Sequence, residues 1–249
     1  MISAIISASA AIVGVLIGVF STHFLHYIDR KSAERKIINE SIHYLIELFF
    51  LVNRLNTEKM ADIYLNYYFL RVKTLFPIWD DGTIETAKVK YSPMIKDVLI
   101  PAIKEQTFED LKKISGQYEE TIKSLATILP VNAYYLRGKN SLEDLVQFIA
   151  SYFENVKAAN IESGVAIKET INQVQSVLTE NLINEYKDKL KSELLALLGK
   201  TNWSNQRAGK RAIRGIESSI LTENEKRKVD SMVVTIVNLI AQNANKSKA

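Results

Sequence analysis

The chain has 249 residues, 47% of them hydrophobic and 24% charged, and its 32 basic and 28 acidic side chains leave a formal net charge of +4, a balance that excludes wholesale disorder. There is no cysteine, which excludes a disulfide framework, a thiolate zinc site, a cysteine nucleophile and an iron–sulfur cluster. Three histidines leave little material for a metal centre, and four prolines with nine glycines suit long helices better than a loop-rich β-sandwich.

The first element is apolar. No charged side chain lies between Met1 and Ile28, and Ile2–Phe20 is apolar or small throughout. About 20 such residues cross a ~30 Å hydrocarbon core, so residues 1–28 are expected to form a single transmembrane anchor. His23, His26 and Tyr27 then fall at the water interface. A cleaved signal peptide would carry a positive n-region, and none is present, although Val19-Phe20-Ser21 is a passable cleavage sequence. Arg30, Lys31, Arg35 and Lys36 follow the run and no cation precedes it. The positive-inside rule therefore predicts the N-terminus outside and the body in the cytoplasm, as in a single-pass protein of a bacterial inner membrane. The same four cations would face anionic lipid headgroups, worth up to ~1 kcal/mol each. Ala10, Gly14, Gly18 and Thr22 recur every four residues. A small-residue stripe lets two backbones approach closely in lipid, and a homo-oligomer through the anchor is expected.

Residues 29–56 join this basic stop to an amphipathic helix. The helical pattern runs from Ala33 to about Leu55. Ile42–Val52 contains Glu47 and is too short to cross, so it reads as a core helix. Thr57 is the expected N-cap of a helix through Ile63–Phe76, closed by Pro77. The turn signal Trp79-Asp80-Asp81-Gly82 makes Pro77–Ser92 a short strand or a loop. Helix resumes at Pro93 with Pro101 limiting it, then runs from Phe108 to Leu129, where Pro130 stops it. Val131–Asn140 is a connector containing Gly138. Ser141 and Asp144 resemble a capping box and open a helix to about Ala159.

Between Glu162 and Leu198 the apolar stripe Ile167, Ile171, Val174, Leu178, Leu182, Tyr186, Leu190, Leu194 and Leu197 repeats about every 3.75 residues. A heptad zipper needs about 3.5, so a straight bundle helix is predicted. Gly199 is the expected left-handed C′ residue. Helices follow over Ser204–Ser219 and Glu223–Gln242, the second opened by a Thr222/Glu225 capping box, and Asn243–Ala249 reads as a frayed tail. Residues 57–199 thus form a helical body and 200–249 a C-terminal segment. The predicted fold is all-α: one transmembrane helix, then an elongated multi-helix cytoplasmic bundle.

No catalytic or metal-binding set stands out, and neither a cofactor nor an enzymatic activity is expected. Gly199-Lys200-Thr201 resembles the end of a phosphate loop, but Leu194 stands where the first glycine belongs. The triplet also follows a helix, where carbonyls rather than N–H groups are free. His23 and His26 share a helix face, but no carboxylate partner is close except Asp29. Asp80, Asp81 and Glu85 beside Trp79 make an acidic cluster, read more simply as a surface turn. Nine of the 22 aromatic residues lie between Tyr44 and Trp79, the composition of a core between helices whose tyrosine hydroxyls find partners.

The sharpest asymmetry is basic. Residues 200–249 carry ten Lys and Arg against four acids, a balance of +6 that leaves the preceding 199 residues at −2. At about 100° per residue, Arg207, Lys210, Arg211 and Arg214 share one arc, with Ile213, Ile216 and Ile220 nearly opposite. A helix can bury the Ile face and present the cations to lipid headgroups, an acidic protein or nucleic acid. Nucleic acid is not favoured, because no aromatic platform interleaves the cations. The expected function is a non-catalytic membrane-anchored scaffold that self-associates and recruits a partner. The alternative is a stress or phage-defence effector that senses an anionic ligand through the C-terminal basic face.

Overall fold

The computed structural model describes residues 2–77, 79–159, 165–218 and 221–246 and, within these, the side chains outside 2–19, 165–166 and 236–246. The described residues fold into eight helices and no strand: α1 Ile2–Arg54, α2 Thr57–Leu75, α3 Asp81–Ala126, α4 Pro130–Leu136, α5 Leu142–Ala159, α6 Val165–Leu198, α7 Trp203–Glu217 and α8 Glu223–Lys246. The all-α class is as expected.

No glycine or proline lies between Val19 and Arg54, and α1 runs unbroken for 53 residues, or about 80 Å. Its second half is core. Ile42, Leu45, Leu48, Phe49 and Val52 are buried at the three- and four-residue spacing of one helix face. They meet Leu111, Tyr118, Ile122 and Leu125 of α3 and Leu190, Leu194 and Leu197 of α6 in the main core. Tyr118 donates its hydroxyl proton to the Leu136 carbonyl at 2.7 Å and so ties α4 into this core.

Residues 20–33 of α1, before the core, are all exposed. Phe20 is 77% and Leu25 60% exposed. Among the described residues no helix is long and apolar enough to cross a membrane, so the structure gives the anchor expected over residues 1–28 no support. Ile2–Val19, with Ala10, Gly14 and Gly18, lies outside the residues whose side chains are described; Thr22, on the exposed part of α1, is within them.

Several local expectations are corrected. The cap of α2 is Asn56, whose side chain accepts from the Lys59 N–H at 3.3 Å, and Thr57 is the first helical residue. Residues 81–92 are helix rather than strand or loop, and α3 passes through both Pro93 and Pro101. An internal proline removes one hydrogen bond and crowds the carbonyl four residues back. Those carbonyls belong to Val89 and Asp97, both exposed, so water can satisfy them. Pro130 does not only stop a helix; it opens α4 at the first-turn position that a proline favours. The left-handed glycine is Gly138, at φ 74°, and Gly199 ends α6 without a positive φ. Finally, the α6 stripe is buried only in its second half. Ile167, Val174 and Leu178 are about half exposed.

The last helix docks on a polar seam. α8 meets α2 through Val229 and Val233 against Leu65, Phe69 and Val72. Beside them Tyr64 donates to Glu225 at 2.8 Å, Tyr67 to Asp230 at 3.2 Å and Arg71 to Asp230 at 2.6 Å. The expected capping box is formed: Glu225 accepts from the Thr222 N–H at 2.8 Å, and Thr222 Oγ1 accepts from the Glu225 N–H at 3.3 Å.

Candidate functional site

Helix α7 lies beside the second half of α1 and runs parallel to it. Near its start, Asn205 Nδ2 donates to Asn39 Oδ1 at 3.0 Å. At its end, Asn53 Nδ2 donates to the Ile216 carbonyl at 2.9 Å. Lys191 of α6 holds the Glu217 carboxylate at 2.5 Å. Ile213 is 2% exposed and anchors the apolar face in the main core, as the sequence arc predicts. Asn202 caps the helix by accepting from the Asn205 N–H at 2.9 Å.

Close approach to α6 depends on Gly209. A Cβ there would run into Leu198 Cδ2, and Leu198 is itself buried. Overpacking of this kind costs about 1–3 kcal/mol. Gly209→Ala is therefore expected to lower the thermal midpoint and shift chemical denaturation by that amount. Gly215→Ala, where nothing lies within 4 Å, should not destabilise.

Arg207, Lys210, Arg211 and Arg214 are all exposed. None forms an ion pair among the described residues. The Arg207 guanidinium lies 4.2 Å over the Trp203 ring, which holds it flat and pre-ordered. The Arg214 Nε–H donates to the Lys210 carbonyl at 3.4 Å.

The Asn39–Asn205 contact fixes where this face sits. Arg35 and Lys36 of α1 lie about one turn beyond Asn39, exposed and without an ion pair. Arg30 and Lys31 lie further out on the same helix. Arg30 pairs with Glu34 at 3.1 Å, and Lys31 sits 5.1 Å over the Tyr27 ring. Exposed Lys200 joins the same end through the α6–α7 connection. The α7 cations thus begin near the α1 cations, with Lys200 and Arg207 close to the level of Asn39, and run along the second half of α1 toward Asn53, with Arg214 at the far end. Lys200 was legible as part of the +6 segment but not as a member of the α7 arc.

The remaining candidates are consumed by local structure. The N–H groups of Gly199, Lys200 and Thr201 donate back to the carbonyls of Leu195, Leu197 and Leu198 at 3.0 Å, so the triplet offers an anion no free amide. Asp80 caps α3, accepting from the Thr83 N–H at 2.7 Å. Those Thr83 hydrogen bonds hold its carboxyl below the usual range. Asp81 pairs with Lys73 at 2.5 Å. Trp79 stacks on Phe76 with centroids 5.0 Å apart, at the rim of an apolar cavity of about 240 Å³ lined by Tyr68, Phe69, Tyr91 and Met94. No group of three metal-ligating side chains occurs among the described residues, and His23 and His26 stand exposed on α1. No family model, curated protein or solved structure matches the chain.

Proposed function

We propose that the protein is a non-catalytic, membrane-anchored helical scaffold that recruits an anionic partner at the cytoplasmic face. The supporting observation is an exposed basic face, Lys200, Arg207, Lys210, Arg211 and Arg214, that runs along the second half of α1 and begins about one turn from Arg35 and Lys36. The outgoing part of α1 carries exposed Phe20, Phe24, Leu25 and Ile28 and continues into the charge-free run. Such a helix needs an apolar phase to cover it.

Distances along the helices separate the two basic groups. If the hydrocarbon ends near residue 28, the cations at 30–36 lie within about 12 Å of it, at headgroup depth. From Arg207 to Arg214 the α7 face stands about 20–30 Å from the same hydrocarbon edge along the α1 axis. Screening takes hold over ~8 Å at physiological salt. The α1 cations therefore serve the lipid surface, and the α7 face serves a soluble anionic partner. The same face supports the second reading, an effector that senses an anionic ligand.

The anchor is tested by Val15→Arg, which puts a charge costing about 2.5–3.5 kcal/mol at the centre of the run. Carbonate extraction should leave the wild type with the membrane and move the variant to the soluble fraction. On spheroplasts, external protease should spare the body. Extraction of the wild type by carbonate, or digestion of the body from outside, overturns the reading.

A further inference from the structure

Helices α5 and α6 form an antiparallel hairpin, tied near its tip by a 3.2 Å hydrogen bond from Lys157 to Gln175. On α5, whose principal neighbour is α6, the residues Leu142, Val146 and Phe153 are buried. A second stripe on α5 is not. Leu145 is 41%, Phe148 68% and Tyr152 56% exposed, and the three share one arc at i, i+3 and i+7. On α6 a matching stripe is open, with Ile167 at 49%, Val174 at 51% and Leu178 at 47%, and Val177 beside it at 58%.

These arcs lie on one side of the hairpin. On α5 the open arc sits about 105° from the buried arc, and on α6 the open stripe sits about 80° from Gln175, which meets Lys157 of α5, in the same rotational sense viewed from each N-terminus. The helices run in opposite directions, so equal rotations turn both stripes to the same face. The seven side chains offer on the order of 700 Å² of accessible surface per copy, against ~800 Å² per partner in a standard stable interface. Isolated apolar residues are ordinary on a surface, but a contiguous patch of this size is not.

Charge selects what covers it. Glu143 is buried against Lys112, Glu154 pairs with Lys157, and Glu169 and Glu180 fall on the far side of α6 from its open stripe, so only Asp144 stands near the face. Helices that lie on membranes place Lys and Arg beside the apolar stripe, and neither open stripe has a lysine or arginine beside it. The positions between the two stripes' edges hold no charged residue. The outer edges carry Ser151, Asn155, Thr170 and Asn181. An identical face therefore meets no like charge across a two-fold axis. We infer that this hairpin face docks against the same face of a second copy of the chain, and that the two hairpins form a four-helix bundle. This contact is separate from the small-residue stripe Ala10, Gly14, Gly18 and Thr22 expected to associate anchors.

The absence of native cysteine makes the test direct. Full-length protein in mild detergent carries Val174→Cys, on the face, or Glu180→Cys, on the polar side. Treatment with a short bis-maleimide should convert most of the first to a covalent dimer and leave the second monomeric. Adding Phe148→Glu to Val174→Cys should abolish the dimer while the far-UV spectrum and melting temperature stay within the wild-type range, because residue 148 is exposed. Equal crosslinking of both cysteines, or a dimer that survives Phe148→Glu, overturns the inference. Should Phe148→Glu lower the melting temperature, Tyr152→Lys replaces it as the deciding variant. Gly14→Ile with Gly18→Ile in the same background reports on the anchor stripe alone.

Discussion

Replacing Glu225 with alanine is expected to destabilise the fold by about 3–5 kcal/mol, the cost of leaving a buried partner charge uncompensated. Glu225 is the hub of the α8 seam. One carboxylate oxygen accepts from Tyr64 at 2.8 Å and lies 3.5 Å from Arg54 Nη2. The other accepts from the Thr222 N–H and hydroxyl, both at 2.8 Å. Only 11% of the Glu225 side chain and 12% of the Arg54 side chain are exposed. Asp110 is 4.0 Å from the guanidinium, too far to replace Glu225, and Arg54 Nε has no protein partner. Glu225→Gln keeps the shape but not the charge, and should cost less than the alanine variant.

Acid should act through the same residue. Burial alone would push the Glu225 carboxyl up, but the bonds from Thr222 and Tyr64 and the Arg54 charge outweigh it and hold the carboxyl below its usual value. A carboxyl with a depressed native pKa contributes stability above its unfolded pKa of about 4.3 and loses it as pH falls through the native value. Wild-type stability should therefore fall below about pH 4. The Glu225→Ala variant should show a shallower fall. Burial, reinforced by the Glu225 carboxylate, holds the Tyr64 phenol well above its usual range, so Tyr64 stays a neutral donor throughout. Release of α8 frees the backbone at Lys226-Arg227-Lys228 from its helix, and limited trypsin digestion between pH 7 and pH 8 of the alanine variant should cut there first. An unchanged melting temperature in that variant would show that the seam contributes nothing net.

Much of this fold was legible because helices announce themselves locally. The Thr222–Glu225 box needs only two residues three apart, and the Ile42–Val52 face needs only its period. The misreadings share one cause, that solvent and tertiary partners decide what sequence signals alone cannot. Pro93 and Pro101 would break a buried helix, but their orphaned carbonyls face water. The stripe of α6 has one period throughout, yet its two halves have different neighbours. For the basic face, helical arithmetic placed Arg207, Lys210, Arg211 and Arg214 on one arc. It could not place that arc along the second half of α1. That depends on the length of α6, on the room left by Gly209 and on an asparagine pair separated by 166 residues, none of which has a periodic signature.

Reversing Arg207, Lys210, Arg211 and Arg214 together to Glu is expected to abolish binding of soluble polyanions and leave membrane association intact. All four are exposed, and surface substitutions of this kind change stability by within about 0.5 kcal/mol each. The end effects oppose one another. Glu at 207 suits the positive N-terminal end of α7, and Glu at 214 is disfavoured near its negative end. Short duplex DNA serves as a plain rod of phosphates for the measurement. Each cation engaging a phosphate steepens the dependence of log K on log salt by about 0.9, so loss of four contacts should remove between three and four from that slope. Wild-type binding that is absent at low salt, or that survives the reversal with the same slope, would leave α7 a solvated surface. The complementary variant changes Arg30, Lys31, Arg35 and Lys36 to Ser. It should weaken association with anionic over neutral vesicles and keep most of the DNA affinity, because the α7 face stands more than two screening lengths from the lipid. A variant set in which both properties fall together would mean that one continuous basic surface serves one ligand, and the division of labour along α1 would fail with it.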